Sequence, residues 1–593
     1  MSEIFLYLVS FGMVLLGLIL KSRKEKELFP TIISCLLIEL CIGTIAAKAM
    51  AIVHIAITLK SMGISYLVLG IAIWVYLLVK RDFQRHRFNW WNIYSIIMIL
   101  CWFVAIFLKI FTTKILNQYV NSDAANHFSM ALTVMDTGNI SNMHFGELFN
   151  GMILSIASYF INQLSLYKAF IISDALANLI NVFMFYVMAS KFIRSKVVKV
   201  LLPILCFMYF IGWPLFNFVI GGFGYLSWGV TLFTYIIYLL TEFWHSNEIK
   251  MQIRLMISII ISCVGLAFAY MYFIPVTGII AGITILLKIR LSFNKDMFKR
   301  YIFVFLIAVV VGIVLFVICF KEYFNGDIQL LLDSLNLGGW NHMDLYRDFV
   351  VFIPAILYMG WHYFRERSYQ VVYCSMVIVL MFIGCTLVMC WFNLISSYYF
   401  YKSYSILWSL SWFIIIDAIN YWMNKEKALV AAYGIAFTMP VVMTLTGMDN
   451  ELENKGIVVN EKHSSMYPSL YPILDGYGYY FGQDNNWVDD KEALRDVSGY
   501  VIDYLQNENV PLISCDGRWG FWYYAFTGQD SIYVSNKQKL LDAVSDYADT
   551  GRRYVVIHQN ADTYREAKLE LEKYSIIYNN GYYGVYELMT ENE

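Results

Sequence analysis

The chain has 593 residues, 43 of them Lys or Arg and 44 Asp or Glu, for a formal net charge of −1; 59% are hydrophobic and 15% charged. With a mean hydropathy of +0.58, so few charges cannot coat a soluble protein of this size, and the chain reads as a polytopic membrane protein. The balanced charge gives the chain no overall basic character, which argues against nucleic acid as a partner, and no CxxC or Cys/His spacing points to a zinc site or a disulfide framework.

Crossing a bilayer takes roughly 20 apolar residues. Such runs fall at 4–21, 29–49, 62–79, 89–111, 168–191, 199–218, 225–243, 255–274, 275–290, 301–319, 348–363, 370–391, 403–420 and 428–446, which predicts about fourteen transmembrane helices. The first run has its basic residues after it, in Lys21-Ser22-Arg23-Lys24, so it reads as a retained helix with its N-terminus outside.

Basic clusters at 21–26, 80–87, 191–199, 250–254, 288–300, 365–367 and 425–427 occupy every second loop. By the positive-inside rule those loops are cytoplasmic. The alternate loops, both termini and the segment 112–167 are then extracytoplasmic, on a cell membrane. Within 112–167, residues 124–135 and 145–163 have helical apolar spacing and are expected to lie in or dip into the interface. The alternative is a crossing pair there, which would invert everything downstream.

The chain divides into N-terminal membrane helices (1–88), a membrane core with its outer loop (89–447), a Tyr-rich interfacial connector (448–490) and an outer domain (491–593). In the last part, β-rich runs at Val510–Ser514, Ser531–Val534, Tyr554–His558, Ser575–Tyr578 and Tyr583–Leu588 alternate with helical patterns at 491–507, 536–548 and 562–573. That alternation predicts a small α/β domain. Asn579-Asn580-Gly581 is a hairpin turn.

Candidate chemistry starts at Asp123, four residues before His127 and so on one face of a helix. Asp136, His144 and Glu147 follow in the same loop, His342, Asp344 and Arg347 stand in the loop 320–347, and Tyr398, Tyr399 and Lys402 lie in 392–402. A carboxylate at a water–membrane cavity can take the proton of an acceptor hydroxyl, and Lys402 or Arg347 can hold a phosphate. Each also has a plain reading. Asp123 fits a helix N-terminus, His127 a cap, Lys402 a snorkelling side chain, and Arg347 an ion pair with Asp348. Asp174 serves either the cavity or the interface. An outer-face transferase lacks cytosolic nucleotide sugars and needs a donor carried on a lipid.

These features resemble the GT-C class of membrane glycosyltransferases, as in protein mannosyltransferases and lipid A aminoarabinose transferases. The resemblance rests on many helices, an acidic motif in a large early outer loop with interfacial helices, and a soluble α/β C-terminal domain. It implies Asp123 as the catalytic acidic residue, Lys402 or Arg347 at the donor phosphate, a polyprenyl-phosphate-linked sugar as donor and a cell-envelope acceptor. Ser514-Cys515-Asp516-Gly517-Arg518 and the ending from Asn580 to Glu587 resemble tails of bacterial members. Two features differ: three helices precede the one leading into the acidic loop, and a single Asp followed by His127 replaces an acidic pair. No Asp-x-Asp pattern occurs in the loop, so no cofactor or metal is expected. Two other functions fit the same composition: a polysaccharide polymerase or ligase using lipid-linked sugars, and a lipid or solute transporter.

Overall fold

The computed structural model describes the chain apart from residues 23–26, 82, 85, 120–121, 141–144, 213–214, 216–218, 220, 292–301, 304–305, 307–309, 311–312, 315–348, 350, 367–369, 436–486 and 589–593. The protein is mostly helical, with a small α/β domain at its C-terminal end. Nine helices among the described residues are long and apolar enough to cross a membrane. Most of the expected span 301–319 and the second half of 428–446 lie outside the described residues, as does the connector from 448 to 486.

The first three helices are α1 (Ser2–Lys21), α2 (Leu28–Ile52) and α3 (Leu59–Lys80). A capping box between Thr58 and Ser61 starts α3. Helix α4 (Trp90–Phe111) begins where Asn89 caps the amide of Trp91 at 3.0 Å. The amides of Asn89 and Asn92 both donate to Glu27 at 2.8 Å, which pins the start of α4 to the start of α2.

The loop after α4 holds α5 (Asp123–Thr137) and α6 (Phe145–Ala157). Gly138 ends α5 at φ +65, a left-handed conformation that glycine adopts without steric cost. Thirteen residues of α6 span about 20 Å, too short to cross. Its surroundings differ from those expected of an interfacial helix. Phe145, Gly146, Glu147, Leu148, Asn150, Gly151, Met152 and Leu154 are all buried, because α6 is wedged among α5, α7 (Leu166–Ser190) and the helix α9 described next.

Helix α8 (Lys196–Ile211) precedes α9 (Gly224–His245), the most enclosed of the nine spans. In its apolar window 89% of residues are buried against 22% in α1, so α9 is the axis of the bundle and α1 its rim. The expected pair 255–274 and 275–290 appears as α10 (Ile249–Tyr270) and α11 (Ile274–Leu291), joined by a single 3-10 turn at Met271–Phe273. Pro275 suits the first turn of α11, where its missing N–H costs nothing. Then come α12 (Ile353–Arg365), α13 (Val371–Trp391), the one-turn α14 (Ser397–Lys402) and α15 (Tyr404–Lys425).

The C-terminal domain opens with α16 (Trp487–Tyr504). Its sheet has the order β2 (Ser531–Tyr533), β1 (Leu512–Ser514), β3 (Tyr554–His558), β5 (Tyr583–Glu587), β4 (Ser575–Asn579). The first three strands are parallel, and β3–β5 and β5–β4 are antiparallel, so the expected hairpin at Gly581 (φ +88) is present. Helices α18 (Lys537–Asp549) and α19 (Asp562–Leu571) cover the sheet where their patterns place them.

One helix was not expected, α17 (Gly517–Thr527), started by Asp516 accepting from the Arg518 amide. Its sequence lacks an amphipathic period because two sides are buried. Trp522 stacks on Tyr119 at 6.2 Å and lies 5.9 Å from Phe128, while Phe526 reaches Phe128 and Tyr167. Burying one such side chain contributes roughly 1.5–3 kcal/mol, so α17 fastens the soluble domain onto α5.

Candidate functional site

The polar side chains of the segment between α4 and α7 gather around four consecutive residues at the start of α9, Gly222-Phe223-Gly224-Tyr225. Gly222 has φ +69, and a Cβ there would lie 2.5 Å from that of Ala124, so only glycine lets α5 approach. The Phe223 ring lies 4.3 Å from the ammonium of Lys402. Gly224 packs directly on the carboxylate of Asp174. The Tyr225 ring lies 4.5 Å from the His127 imidazole, and α6 approaches its backbone at Gly146. A glycine–aromatic alternation thus brings together α5, α6, α7 and α14.

Asp123 is exposed in the first turn of α5, where the helix dipole favours a carboxylate. Its charge acts on both Lys402 and His127. His127 has a different partner for its ring: Nδ1 donates to Oε1 of Glu147 at 2.6 Å, and Glu147 is 1% exposed. Burial pulls the imidazole pKa down, but the hydrogen bond and charge of Glu147, with the charges of Asp174 and Asp123, hold it above the ordinary value. Glu147 therefore orients the ring and leaves Nε2 as the second functional nitrogen.

Asp174 is buried and accepts from the Tyr119 hydroxyl at 3.2 Å. Burial and then the Asp174 charge push the Tyr119 phenol well above its usual pKa, so it stays a donor. A wall of tyrosines continues from Tyr225 to Tyr270 at 6.0 Å, Tyr272 at 6.1 Å and Tyr399 at 5.2 Å. Ser403 fixes Tyr272 by donating to its hydroxyl at 3.2 Å.

Of the residues singled out in the sequence, Asp123, His127, Glu147 and Lys402 come together, with Tyr399 in the adjoining wall. Asp136 does not join them: thirteen residues along α5, it stands about 20 Å from Asp123. His144, His342, Asp344 and Arg347 lie outside the described residues, and Tyr398 is placed by its backbone in α14. Tyr119, Phe223 and Tyr225 were not anticipated. The sequence signal for Phe223 and Tyr225 is the Gly-Gly-Phe-Gly-Tyr run at 221–225, which reads as the start of a buried helix until its neighbours are known. Among the described residues, no group of three or more His, Cys, Asp or Glu is placed to hold a metal ion.

No family model matches the sequence, and no curated protein matches it either. Among solved structures, the chain is similar to one described as the crystal structure of ArnT from Cupriavidus metallidurans in the apo state. The likeness covers 83% of this chain and 98% of that one, at 10% identity and a TM-score of 0.47. A likeness of that size says nothing of activity, which rests on the residues themselves.

Proposed function

We propose that the protein is a membrane glycosyltransferase that moves a sugar from a polyprenyl-phosphate donor to a cell-envelope acceptor, a glycan, teichoic acid, lipid or protein, at the outer face. The observation that carries this reading is the placement of Asp123 within electrostatic reach of Lys402, whose ammonium sits over Phe223 beside the start of α9, in a bundle built for a bilayer. Asp123 is the general base. It takes the proton of the acceptor hydroxyl as that oxygen bonds to the anomeric carbon of the sugar. The bond from that carbon to the phosphate oxygen breaks, and polyprenyl phosphate leaves with the electron pair.

Lys402 offsets the charge on the leaving phosphate, and a helix N-terminus such as that of α9 also favours an anion. The His127–Glu147 pair and the tyrosine wall supply hydrogen bonds and ring faces to the sugar. A lipid donor also explains why the site is set among apolar helices: the prenyl tail needs no water-filled entry.

The test is transfer from polyprenyl-phosphate donors carrying radiolabelled sugars, with the full chain in proteoliposomes and cell-envelope extract as acceptor. The expected result is label in the acceptor fraction and one polyprenyl phosphate released per sugar moved. Neither transfer nor release from any donor would contradict the reading.

A further inference from the structure

Away from the cluster around Asp123 and His127, α16 ends in a row of tyrosines. Tyr500 stacks on Tyr578 of β4 with ring centroids 4.5 Å apart, and Tyr504 follows at 5.0 Å with 73% of its surface in solvent. Two depressions meet at this last ring. One, of about 280 Å³, is lined by Arg495, Asp496, Tyr500 and Tyr578; the other, of about 420 Å³, by Glu508, Arg553 and Tyr554; Asp503 and Tyr504 belong to both. Small-molecule sites run from roughly 300 to 1,000 Å³, so the pair is large enough for an extended ligand with the Tyr504 ring at its middle.

The charges select the ligand. Asp496, Asp503 and Glu508 line the groove. The two arginines are already committed, Arg495 to Glu492 and Asp496 at 2.5 and 3.0 Å, and Arg553 to Glu587 at 3.1 Å. Such a groove repels phosphate and anionic lipid headgroups. It suits a neutral chain rich in hydroxyl donors for the carboxylates, with apolar ring faces to lie on tyrosine. That chemistry is carbohydrate.

We propose that this double groove binds a neutral oligosaccharide. Calling that oligosaccharide the glycan part of the acceptor rests on the transferase reading above; the carbohydrate binding itself does not. Placement supports the link. Lys491, thirteen residues before Tyr504 on α16, contacts the carbonyl of Tyr119, whose hydroxyl reaches Asp174 in the candidate site, so the groove's far end lies about 20 Å along the helix from that contact. A chain of several sugar rings spans that distance, which makes affinity rise with chain length.

The experiment is equilibrium dialysis of the full chain in nanodiscs without any polyprenyl-phosphate donor, so that no turnover occurs. The probes are tritiated linear neutral oligosaccharides of two to six residues, drawn from glucans, mannans, galactans and N-acetylglucosamine oligomers. At least one series is expected to bind, more tightly with length. Tyr504→Ala should weaken that binding about tenfold, as loss of an aromatic contact does, while Tyr504→Trp retains it. Because Tyr504 is exposed, the Ala variant keeps its fold, which a melting curve verifies. Absence of binding from every series, or binding that Tyr504→Ala leaves unchanged, would overturn the proposal. Binding without transfer by the wild type would instead contradict the transferase reading and leave this site standing.

Discussion

The ammonium of Lys491 donates to the main-chain carbonyl of Tyr119 at 2.6 Å, and the hydroxyl of the same tyrosine donates to Asp174 at 3.2 Å. One residue therefore touches the soluble domain with its backbone and Asp174 of the candidate site with its side chain. Burial, aided by Arg518 and opposed by Asp490, pushes the Lys491 pKa from 10.5 to about 7. Between those values the unfolded chain holds a proton that the folded chain has shed, so stability rises with pH across that window. Below about 7 the folded protein carries a buried charge at full cost. Hydrogen exchange in Gly517–Thr527, the docking helix, should thus slow beyond its intrinsic pH trend as pH is raised from 6.5 to 9. Lys491→Met should remove this dependence; a wild type with no excess protection at high pH would contradict the account.

The glycines at 222 and 224 set how closely the helices approach. Gly222→Ala adds a carbon 2.5 Å from Ala124 in a left-handed backbone, and Gly224→Ala drives one into the Asp174 carboxylate. Each should cost about 1–3 kcal/mol, the usual range for overpacking, and lower activity by displacing Asp174 and Tyr225. Gly278 has nothing within 4 Å of an added Cβ, so Gly278→Ala should melt at or slightly above the wild-type temperature. Equal melting of all three variants would contradict the packing described.

Glu147→Gln should lower the His127 pKa, because it removes the strongest influence holding the imidazole charged. The sign of the linkage follows from that elevation. With the folded pKa above the unfolded one, His127 adds stability at low pH that is lost as pH rises through the folded value. The variant should show less of this low-pH stabilisation, and an NMR titration of the labelled histidine should move to lower pH. A titration that stays in place would remove Glu147 as the cause.

Much of the fold was legible because the apolar length of a helix depends on the bilayer rather than on tertiary contacts. The runs at 62–79 and 89–111 became α3 and α4 within a few residues. The C-terminal strands were legible for a related reason, since turn residues such as Asn580-Gly581 act locally. Helix α17 was not, because Trp519, Trp522 and Phe526 are buried on several sides and leave no period to detect. The same limit applies to the site. Asp123 and His127 are polar in an apolar chain and stand out at once, and Lys402 ends a helix where a cation is conspicuous. Tyr225 and Phe223 are two aromatics among many, and only the left-handed turn at Gly222 gives them their neighbours. Asp136 was a substrate-binding candidate because it shares the loop with Asp123, and only its place near the far end of α5 separates it from that cluster.

The central claim is that Asp123 accepts a proton in the transfer step while Lys402 holds the donor phosphate. Single-turnover transfer with Asp123→Asn and Lys402→Met, alongside separately measured donor affinity, tests it most directly. Asp123→Asn should slow the chemical step about 10²–10⁴-fold, as loss of a general base does, with donor affinity kept. Lys402→Met should weaken donor binding as well. An Asp123→Asn enzyme that transfers sugar at the wild-type rate would contradict the assignment.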